Sequence, residues 1–252
     1  MDTLTEERVE VLTGEELSRQ QEMDRWLEVF SIFIHDLESP LASVKYLLKR
    51  LANGKLDPTN EQHQRLIHSS DIAVRRAESI LYDVMAVARA GKAGIPIQLD
   101  SIRLKDLVNE AVALAGGTAA DQDITLQVAS DISDTPVQAD PRLLTRVIDN
   151  LVYNAIRHTP AGGTVLVSTE PGTRCVFLHV KDDGPGLGDI DPSVLFEKYG
   201  QLQLRAKGLH RGVGLGLYFC KLAATGMGGT VMADDHADGG AVFSIKLNIS
   251  EG

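Results

Sequence analysis

The first third of the chain carries an apolar seven-residue repeat. Its apolar positions alternate steps of four and three, and they are Met23, Leu27, Phe30, Ile34, Leu37, Leu41, Val44, Leu48 and Leu51. Such a repeat predicts a helix whose narrow apolar stripe packs against other helices. The repeat breaks at residues 52–55, and Asp57-Pro58 predicts the start of a second helix by supplying an N-cap and a first-turn proline. The spacing returns from Leu66 to Val87, and Gly91 is predicted to end the second helix.

The short connection between the two predicted helices indicates an antiparallel hairpin. A single hairpin buries too little apolar surface to be stable alone, so two copies are expected to pair into a four-helix bundle. We therefore predict a dimerisation hairpin over residues 15–91, and a homodimer. Residues 1–14 carry only a weak pattern and are interpreted as an incoming signalling helix or a linker.

From Ile95 onwards the pattern changes to short strands between helices. We predict, in order, strand 95–102, helix 104–115, strands 124–130 and 136–139, helix 141–158, strands 164–170 and 174–182, helix 213–225, and strands 229–234 and 241–248. Helices collected on one face of a mixed, largely antiparallel sheet form an α/β sandwich. The predicted fold class is therefore α+β, with the antiparallel helical hairpin followed by this sandwich over residues 92–252.

The composition narrows the classes of partner. The 252 residues carry a formal net charge of −10, which argues against binding to nucleic acid. No apolar run approaches the ~20 residues of a membrane span, and the acidic N-terminus does not resemble a secretory signal. Cys175 and Cys220 lie far apart in apolar segments, as buried thiols do in a reducing compartment. We expect a cytoplasmic protein whose chain makes no membrane contact.

The predicted first helix carries His35, with Ser39 and Pro40 close behind it. If Ile34 faces the bundle, His35 occupies the next position round the helix and points to solvent. Ser39 is four residues further on and shares that face, whereas Asp36 does not. An interior proline kinks a helix, which makes the segment unusual. A single histidine on a helix is most often an ordinary surface residue, so this segment alone does not indicate a function.

Helix 141–158 is predicted to present two amides side by side. Asn150 and Asn154 are four residues apart and project from one face, while Leu151 and Ala155 pack inward. Amide oxygens suit a hard cation such as Mg²⁺ that also keeps water and phosphate ligands. Arg157 adds a permanent positive charge nearby. Polar pairs at this spacing are also common on solvated helices.

Two glycine-rich segments complete the candidate chemistry. The first, Asp182-Asp183-Gly184-Pro185-Gly186, directly follows a predicted strand. A carboxylate there can accept the exocyclic amine of adenine, and glycines let the backbone approach a flat ring. The second, Gly212-Val213-Gly214-Leu215-Gly216, precedes a helix whose first N–H groups can bind an anion. No strand directly precedes it, so it does not indicate a dinucleotide-binding βαβ unit.

Taken together and in this order, the motifs resemble those of the two-component sensor histidine kinases. The resemblance spans residues 20–248, nearly the whole chain. The matching segments are residues 35–40 for the H box, 150–160 for the N box, 182–186 and 212–217 for the two glycine boxes, and 196–199 for the F box. The resemblance implies a dimerisation and phosphoacceptor hairpin followed by a GHKL-type ATP-binding domain.

The resemblance also implies roles for individual residues. His35 would be the phosphoacceptor whose neutral imidazole attacks the γ-phosphate of ATP, with Asp36 orienting the other ring proton. Ser39 stands where bifunctional members position a hydrolytic water. The implied ATP-binding residues are Asn150, Asn154, Arg157, His158, Asp182, Gly184, Gly186, Lys198, Arg211, Gly212, Gly214, Leu215 and Gly216. Asn154 would also be the protein ligand of Mg²⁺, and residues 187–211 would form a lid over ATP.

The implied partners are a second copy of the chain, the receiver domain of a response regulator, whose aspartate would take the phosphoryl group, and an upstream sensor domain or protein. Three positions depart from the family pattern. Glu38 stands where a basic or polar residue is frequent, Ser39 replaces threonine or asparagine, and Gln201 replaces a phosphate-binding arginine. Because Ser39 retains a hydroxyl, the resemblance also implies a phosphatase activity toward the regulator.

Two alternatives remain open at this stage. A related ATPase would need an acidic residue one turn before the first asparagine, but that position is Arg146, and Asp149 is expected on another face. A degenerate kinase would bind nucleotide and act only as a dimeric signalling module. The presence of His35, Asn154 and Asp182 argues against the second alternative.

Overall fold

The computed structural model describes residues 14–57, 59–93, 95–198, 200, 204 and 215–250. The chain begins with a hairpin of two long helices, α1 (Gly14–Ala52) and α2 (Glu61–Ala93). The prediction that Gly91 ends the second helix is wrong, because α2 continues through it. α1 likewise continues through Pro40, which is buried.

The start of α2 differs from the predicted one. Asn60 Oδ1 accepts hydrogen bonds from the N–H groups of Gln62 at 2.9 Å and His63 at 3.3 Å, so Asn60 caps the helix. Asp57 instead accepts the N–H and the hydroxyl of Thr59 within the connection. Both residue types are good caps, so the sequence could not distinguish them. Pro58 lies outside the described residues.

The hairpin leaves most of its apolar stripe on the surface. Phe33, Ala73 and Ala77 are buried within a single chain. The repeat residues Met23, Leu27, Phe30, Ile34, Leu41, Leu48 and Leu51 are all exposed, by 47–61%. A contiguous exposed apolar surface of this kind marks a site of association.

The remaining elements form an α/β sandwich. They are β1 (Asp100–Ile102), α3 (Leu104–Asp121), β2 (Thr125–Val128), β3 (Val137–Ala139), α4 (Pro141–His158), β4 (Thr164–Pro171), β5 (Cys175–Asp182), α5 (Pro192–Leu195), α6 (Leu215–Gly226), β6 (Thr230–Asp235) and β7 (Ala241–Asn248). The main sheet has the order β2-β4-β5-β7-β6, in which β2 pairs parallel with β4 and every other pair is antiparallel. β1 and β3 form a separate ribbon. The predicted α+β fold is confirmed.

The core lies between one face of the sheet and the helices. In β5, Val176, Leu178 and Val180 are buried, and the residues between them are only partly covered. On α4 the buried residues are Leu144, Val147, Ile148, Leu151, Val152, Ala155 and Ile156. This periodic burial fixes which face of α4 turns away from the sheet, and that face carries Asn150 and Asn154.

Two predicted boundaries in this part of the chain are wrong. Helix α3 does not end at residue 115 but runs to Asp121, through Gly116 and Gly117. Ala115 and Ala119 are buried on either side of the glycines, so packing outweighs the low helix propensity of glycine. Residues 95–99 were predicted as strand, but the strand begins only at Asp100.

The start of α4 is held by a buried carboxylate. Asp140 Oδ1 accepts from the N–H groups of Arg142 and Leu143, and Oδ2 accepts from Gln98 N. Burial raises the pKa of Asp140, but these hydrogen bonds and the guanidinium of Arg142 outweigh burial and leave the pKa below its usual value. This end of α4 is therefore firmly anchored. None of the helices in the described ranges is long and apolar enough to cross a membrane.

Candidate functional site

The face of α4 that turns away from the sheet borders a cavity of about 460 Å³. Asn150 and Asn154 line it together with Arg157, and Leu215 and Gly216 at the start of α6 close one end. The structure thus brings the asparagine pair next to the last part of the second glycine-rich segment. Arg211, Gly212 and Gly214, which were predicted to belong to the same site, lie outside the described residues.

The opposite wall of the cavity comes from the hairpin, which the sequence did not predict. Helix α2 contributes Ile72, Arg75, Glu78, Ser79, Ile80 and Tyr82, and α3 contributes Leu114, Thr118 and Gln122. Asp149 also lines the cavity, although it was expected on another face of α4. The cavity is wide enough to reach both sides of the helix.

One amide in the cavity is unsatisfied within the described residues. The side-chain nitrogen of Asn150 is buried and has no hydrogen-bond partner there. A buried donor without a partner is costly, and an acceptor such as a phosphate oxygen would satisfy it. The donor set therefore fits the phosphates of a nucleotide.

A metal bound here would depend on the nucleotide. The described residues contain no group of three or more His, Cys, Asp or Glu side chains able to hold a metal ion. Mg²⁺ keeps several waters and commonly binds through one or two protein oxygens plus substrate phosphates. The amide oxygen of Asn154 is of this ligand type, and so the site fits Mg²⁺ brought in with a nucleotide.

Asp182 lies at the end of β5 and is buried. Its Oδ1 accepts hydrogen bonds from Gly184 N at 2.8 Å and from Ala241 N at 3.3 Å. Burial raises the pKa of Asp182 above its usual value, and the two backbone hydrogen bonds oppose that shift. The carboxylate is thus held between β5, which it ends, and β7, which begins at Ala241. A hydrogen-bond acceptor that distinguishes one base from another must be fixed in this way.

The loop after Asp182 lies against the end of α4. A Cβ at Gly184 would come within 2.8 Å of the carbonyl oxygen of His158. His158 follows Asn154 by four residues, which is about one helical turn. The aspartate loop therefore packs against the last turn of α4, one turn beyond Asn154, although His158, Asp182 and Gly184 do not line the cavity.

The same loop is tied to the far edge of the sheet by a residue that the sequence reasoning missed. Asp235, the last residue of β6, accepts a hydrogen bond from Leu187 N through Oδ1. Gly186 has φ +74°, and a Cβ there would come within 2.5 Å of the same oxygen. Only the pairing of β6 with β7 reveals this contact, and no motif could have indicated it.

The structure does not bring the predicted phosphoacceptor to this cavity. His35 and Ser39 are exposed on α1, and the side chain of Asp36 lies outside the described residues. Among the residues that the structure describes, none from α1 lines the cavity. Lys198 is half-buried just after α5, and it does not line the cavity either.

Asp149 gives a pH-dependent prediction. Its pKa is raised to about 6, chiefly by burial; Arg146 and Arg75 oppose this shift, and Glu110 adds to it. Because the folded protein then binds a proton more tightly than the unfolded chain, stability should fall as pH rises from about 4 to about 6 and stay constant above. Asp149→Asn should therefore increase the free energy of unfolding above pH 6 by about 2 kcal/mol, a value that allows for partial exposure of the side chain. Below pH 4, where the carboxyl is protonated in both states, the substitution should change the free energy of unfolding little.

Urea unfolding at pH 4, 5, 6 and 7.5 measures this difference. The exposed Asp131→Asn is the control, with an expected change within about 0.5 kcal/mol at every pH. An Asp149→Asn difference that did not grow between pH 4 and 6 would contradict the assignment of that pKa to burial.

Comparison with known proteins shows which proteins the chain resembles. Residues 139–251 match the family model described as "Histidine kinase-, DNA gyrase B-, and HSP90-like ATPase". The sensor protein KdpD of Clostridium acetobutylicum is 28% identical over 260 residues, covering 99% of this chain and 28% of that protein. The adaptive-response sensory kinase SasA of Microcystis aeruginosa is 27% identical over 229 residues, covering 88% of this chain and 59% of that protein. The chain is similar to sensor kinases over nearly its whole length, and residues 139–251 match the ATPase domain that the family model describes.

The fold comparison agrees with this assignment. The crystal structure of full-length ShkA in complex with AMPPNP matches this chain with a TM-score of 0.60 at 23% identity, covering 96% of this chain and 47% of that one. At that identity the match concerns the fold alone. The resemblance and the GHKL-type ATPase domain expected from the motifs are confirmed. The chain spans about a quarter to three fifths of the length of the relatives named here.

Proposed function

We propose that this chain is an ATP-dependent autokinase that phosphorylates His35 and passes the phosphoryl group to an aspartate of a response regulator. The observation that carries the proposal is the arrangement on α4. Asn154 lies about one helical turn, and Asn150 about two turns, from the loop that holds the buried carboxylate of Asp182, and the buried amide nitrogen of Asn150 has no hydrogen-bond partner among the described residues. Adenine needs a hydrogen-bond acceptor, and the phosphates need hydrogen-bond donors a short distance away.

Each end of the nucleotide has its own recognition chemistry. Asp182 would accept a hydrogen bond from the exocyclic amine of adenine, and Asn150 and Arg157 would contact phosphate oxygens. Asn154 would hold Mg²⁺ that enters with the nucleotide, and the ion would neutralise negative charge that develops during transfer. The chain's other residues would act by positioning, since phosphoryl transfer needs little covalent assistance.

His35 would be the nucleophile. Its imidazole is exposed on α1, so a γ-phosphate can reach it from solvent. The ring nitrogen would attack phosphorus in line with the departing ADP oxygen, and the P–N bond would form as the P–O bond breaks. Asp36 would accept or orient the proton on the second nitrogen, and Ser39, on the same face, would position a water if the chain also dephosphorylates its regulator.

The partners follow from the surface of the hairpin. The exposed apolar stripe of α1 would be covered by a second copy of the chain, giving a four-helix bundle. A receiver domain would approach His35 on the outside of that bundle. Because the chain spans only part of its relatives, an upstream sensor domain or protein would supply the signal, in the cytoplasm.

A second candidate function is ATP hydrolysis without phosphoprotein. Asp149 borders the cavity next to the asparagine pair, and a carboxyl with a pKa of about 6 could act as a general base toward water. The position that the related ATPases use for this purpose is Arg146, whose charge is unsuited to it.

Incubation with γ-labelled ATP and Mg²⁺ distinguishes these candidates. We expect wild-type protein to acquire a label that is stable to alkali and lost in acid, and His35→Gln to acquire none. Phosphate release equal in both proteins, with no label on either, would identify an ATPase. Bound nucleotide with neither label nor release would identify a degenerate module, and would contradict the proposal.

A further inference from the structure

The loop that follows Asp182 is held at both of its ends by one pair of facing residues in the sheet. At the start of the loop, Ala241 N donates a hydrogen bond to Asp182 Oδ1 at 3.3 Å. At its end, Leu187 N donates a hydrogen bond to Asp235 Oδ1. Ala241 and Asp235 are direct partners in the antiparallel pairing of β6 with β7. The two strands therefore hold residues 182–187 as a unit.

Asp235 is a charged residue at the end of an apolar row. Side chains alternate along β6, so that Val231 and Ala233 pack toward the core and Asp235 is the next residue on that side. Its partner Leu187 is buried and lies beyond the end of β5, where the pairing of β5 with its neighbouring strands has ended. The carboxylate of Asp235 supplies the acceptor that the Leu187 N–H needs, and a charged acceptor makes this hydrogen bond a strong one.

Two glycines allow the backbones to approach closely enough for this arrangement. A Cβ at Gly186 would come within 2.5 Å of Asp235 Oδ1, and a Cβ at Gly240 would come within 1.8 Å of the carbonyl oxygen of Asp182. Both glycines have positive φ angles, +74° and +80°. The turn between β6 and β7 thus packs directly on the loop. We call Asp235, Gly240 and Ala241 the loop clamp.

The loop clamp has a consequence for the carboxylate of Asp182. Its Oδ1 also accepts a hydrogen bond from Gly184 N at 2.8 Å, and Gly184 belongs to the clamped loop. If Leu187 were released, the residues from Gly184 onwards would gain conformational freedom, and the Gly184 N–H would leave the carboxylate more readily. A loop that is already ordered in the free protein does not have to be ordered when a ligand binds.

We propose that Asp235 is a positioning residue of the nucleotide site. Through the Leu187 N–H, its carboxylate keeps the loop in the conformation in which Asp182 can accept the exocyclic amine of adenine. This inference rests on the proposed function in one respect, the contact between Asp182 and adenine. Asp235 acts on the affinity for the nucleotide through the loop, and it does not touch the nucleotide itself.

The first test measures affinity for a non-hydrolysable ATP analogue by isothermal titration. Asp235→Ala should weaken binding by about tenfold, because a charge-assisted hydrogen bond is lost and the N–H of a buried residue is left without its acceptor. Asp235→Asn keeps an acceptor oxygen and should restore the affinity to within about threefold of wild type. Asp234→Ala removes the same charge from the opposite face of β6, and should stay within about twofold.

The second test asks whether Asp235 acts through Asp182. Asp182→Asn removes the acceptor for adenine, so the position of the loop should then matter little for binding. The double variant Asp182→Asn/Asp235→Ala should therefore bind the analogue within about threefold of Asp182→Asn alone. Two residues that act independently would instead give losses that multiply, with a further tenfold loss in the double variant.

The third test separates binding from transfer. In labelling with γ-labelled ATP, Asp235→Ala should raise the ATP concentration that gives half the maximal rate by about tenfold. The rate at saturating ATP should stay within about twofold of wild type, because the loop clamp holds the adenine end of the site and not the γ-phosphate. Cooperative urea unfolding of each variant, measured in parallel, establishes that the affinities belong to folded protein.

Three outcomes would overturn the proposal. They are an analogue affinity of Asp235→Ala within twofold of wild type, losses that multiply in the double variant, and a lower saturating rate with an unchanged half-saturating ATP concentration. The first of these, together with a large loss in Asp182→Asn, would leave the proposed function intact. Absence of phosphohistidine on the wild-type protein, with the expected affinities, would instead contradict the kinase function and leave the role of Asp235 supported.

Discussion

Asp182→Asn is expected to weaken ATP binding by about 100-fold, or about 3 kcal/mol, because a donor replaces the acceptor that adenine requires. The amide oxygen of asparagine can still accept from Gly184 N and Ala241 N, so the loop should keep its shape. Isothermal titration with a non-hydrolysable ATP analogue measures the effect. Preference for ATP over GTP should fall at the same time, since guanine presents an acceptor where adenine presents an amine.

The neighbouring Asp183→Asn is the matched control. It removes one charge at the next position, and its amide oxygen can keep the hydrogen bond that Asp183 accepts from Thr164 N. We expect ATP affinity within about threefold of wild type, because the Asp183 side chain is exposed and an exposed charge contributes little to the binding free energy. Equal losses in the two variants would mean that charge, and not a directed hydrogen bond to adenine, explains the affinity.

Gly240→Ala is expected to destabilise the protein by about 3–5 kcal/mol, the range for a strained backbone combined with a steric clash. Gly240 has φ +80°, and a Cβ would come within 1.8 Å of the carbonyl oxygen of Asp182. That neighbour is backbone, so it can give way only if β5 and the site loop move. Urea unfolding monitored by circular dichroism measures the loss.

Gly239→Ala isolates the clash from the backbone strain. Gly239 has φ +98°, but a Cβ there would meet nothing within 4 Å. Its cost should be limited to about 1–2 kcal/mol for a left-handed backbone conformation. If the two alanine variants were equally stable, the close packing of Gly240 on Asp182 would be contradicted.

The fold was largely predictable from local patterns. α4 and β7 occupy the predicted residues, because a strong cap at Asp140 and regular alternation from Ala241 fix their limits. α3 was predicted too short, since Gly116 and Gly117 resemble a helix end when their packing is unknown. Its true length depends on burial of Ala119, which is a tertiary effect.

In the candidate site, only the arrangement of residues that are close in sequence could be predicted. The spacing of Asn150 and Asn154 predicted that they share a face, and they do line one cavity. The contacts of Asp235 with the site loop and of Arg146 with Tyr82 join residues 48 and 64 positions apart, and neither belongs to a motif. Contacts of this range follow from strand order and domain docking, which a single sequence does not specify.

The central claim is tested most directly by locating the phosphoryl group. Wild-type protein incubated with ATP and Mg²⁺, digested at alkaline pH and analysed by tandem mass spectrometry should carry a single phosphoryl group on His35. Fragment ions that placed phosphate on another residue, or an unmodified His35 peptide alongside rapid ADP formation, would contradict the account.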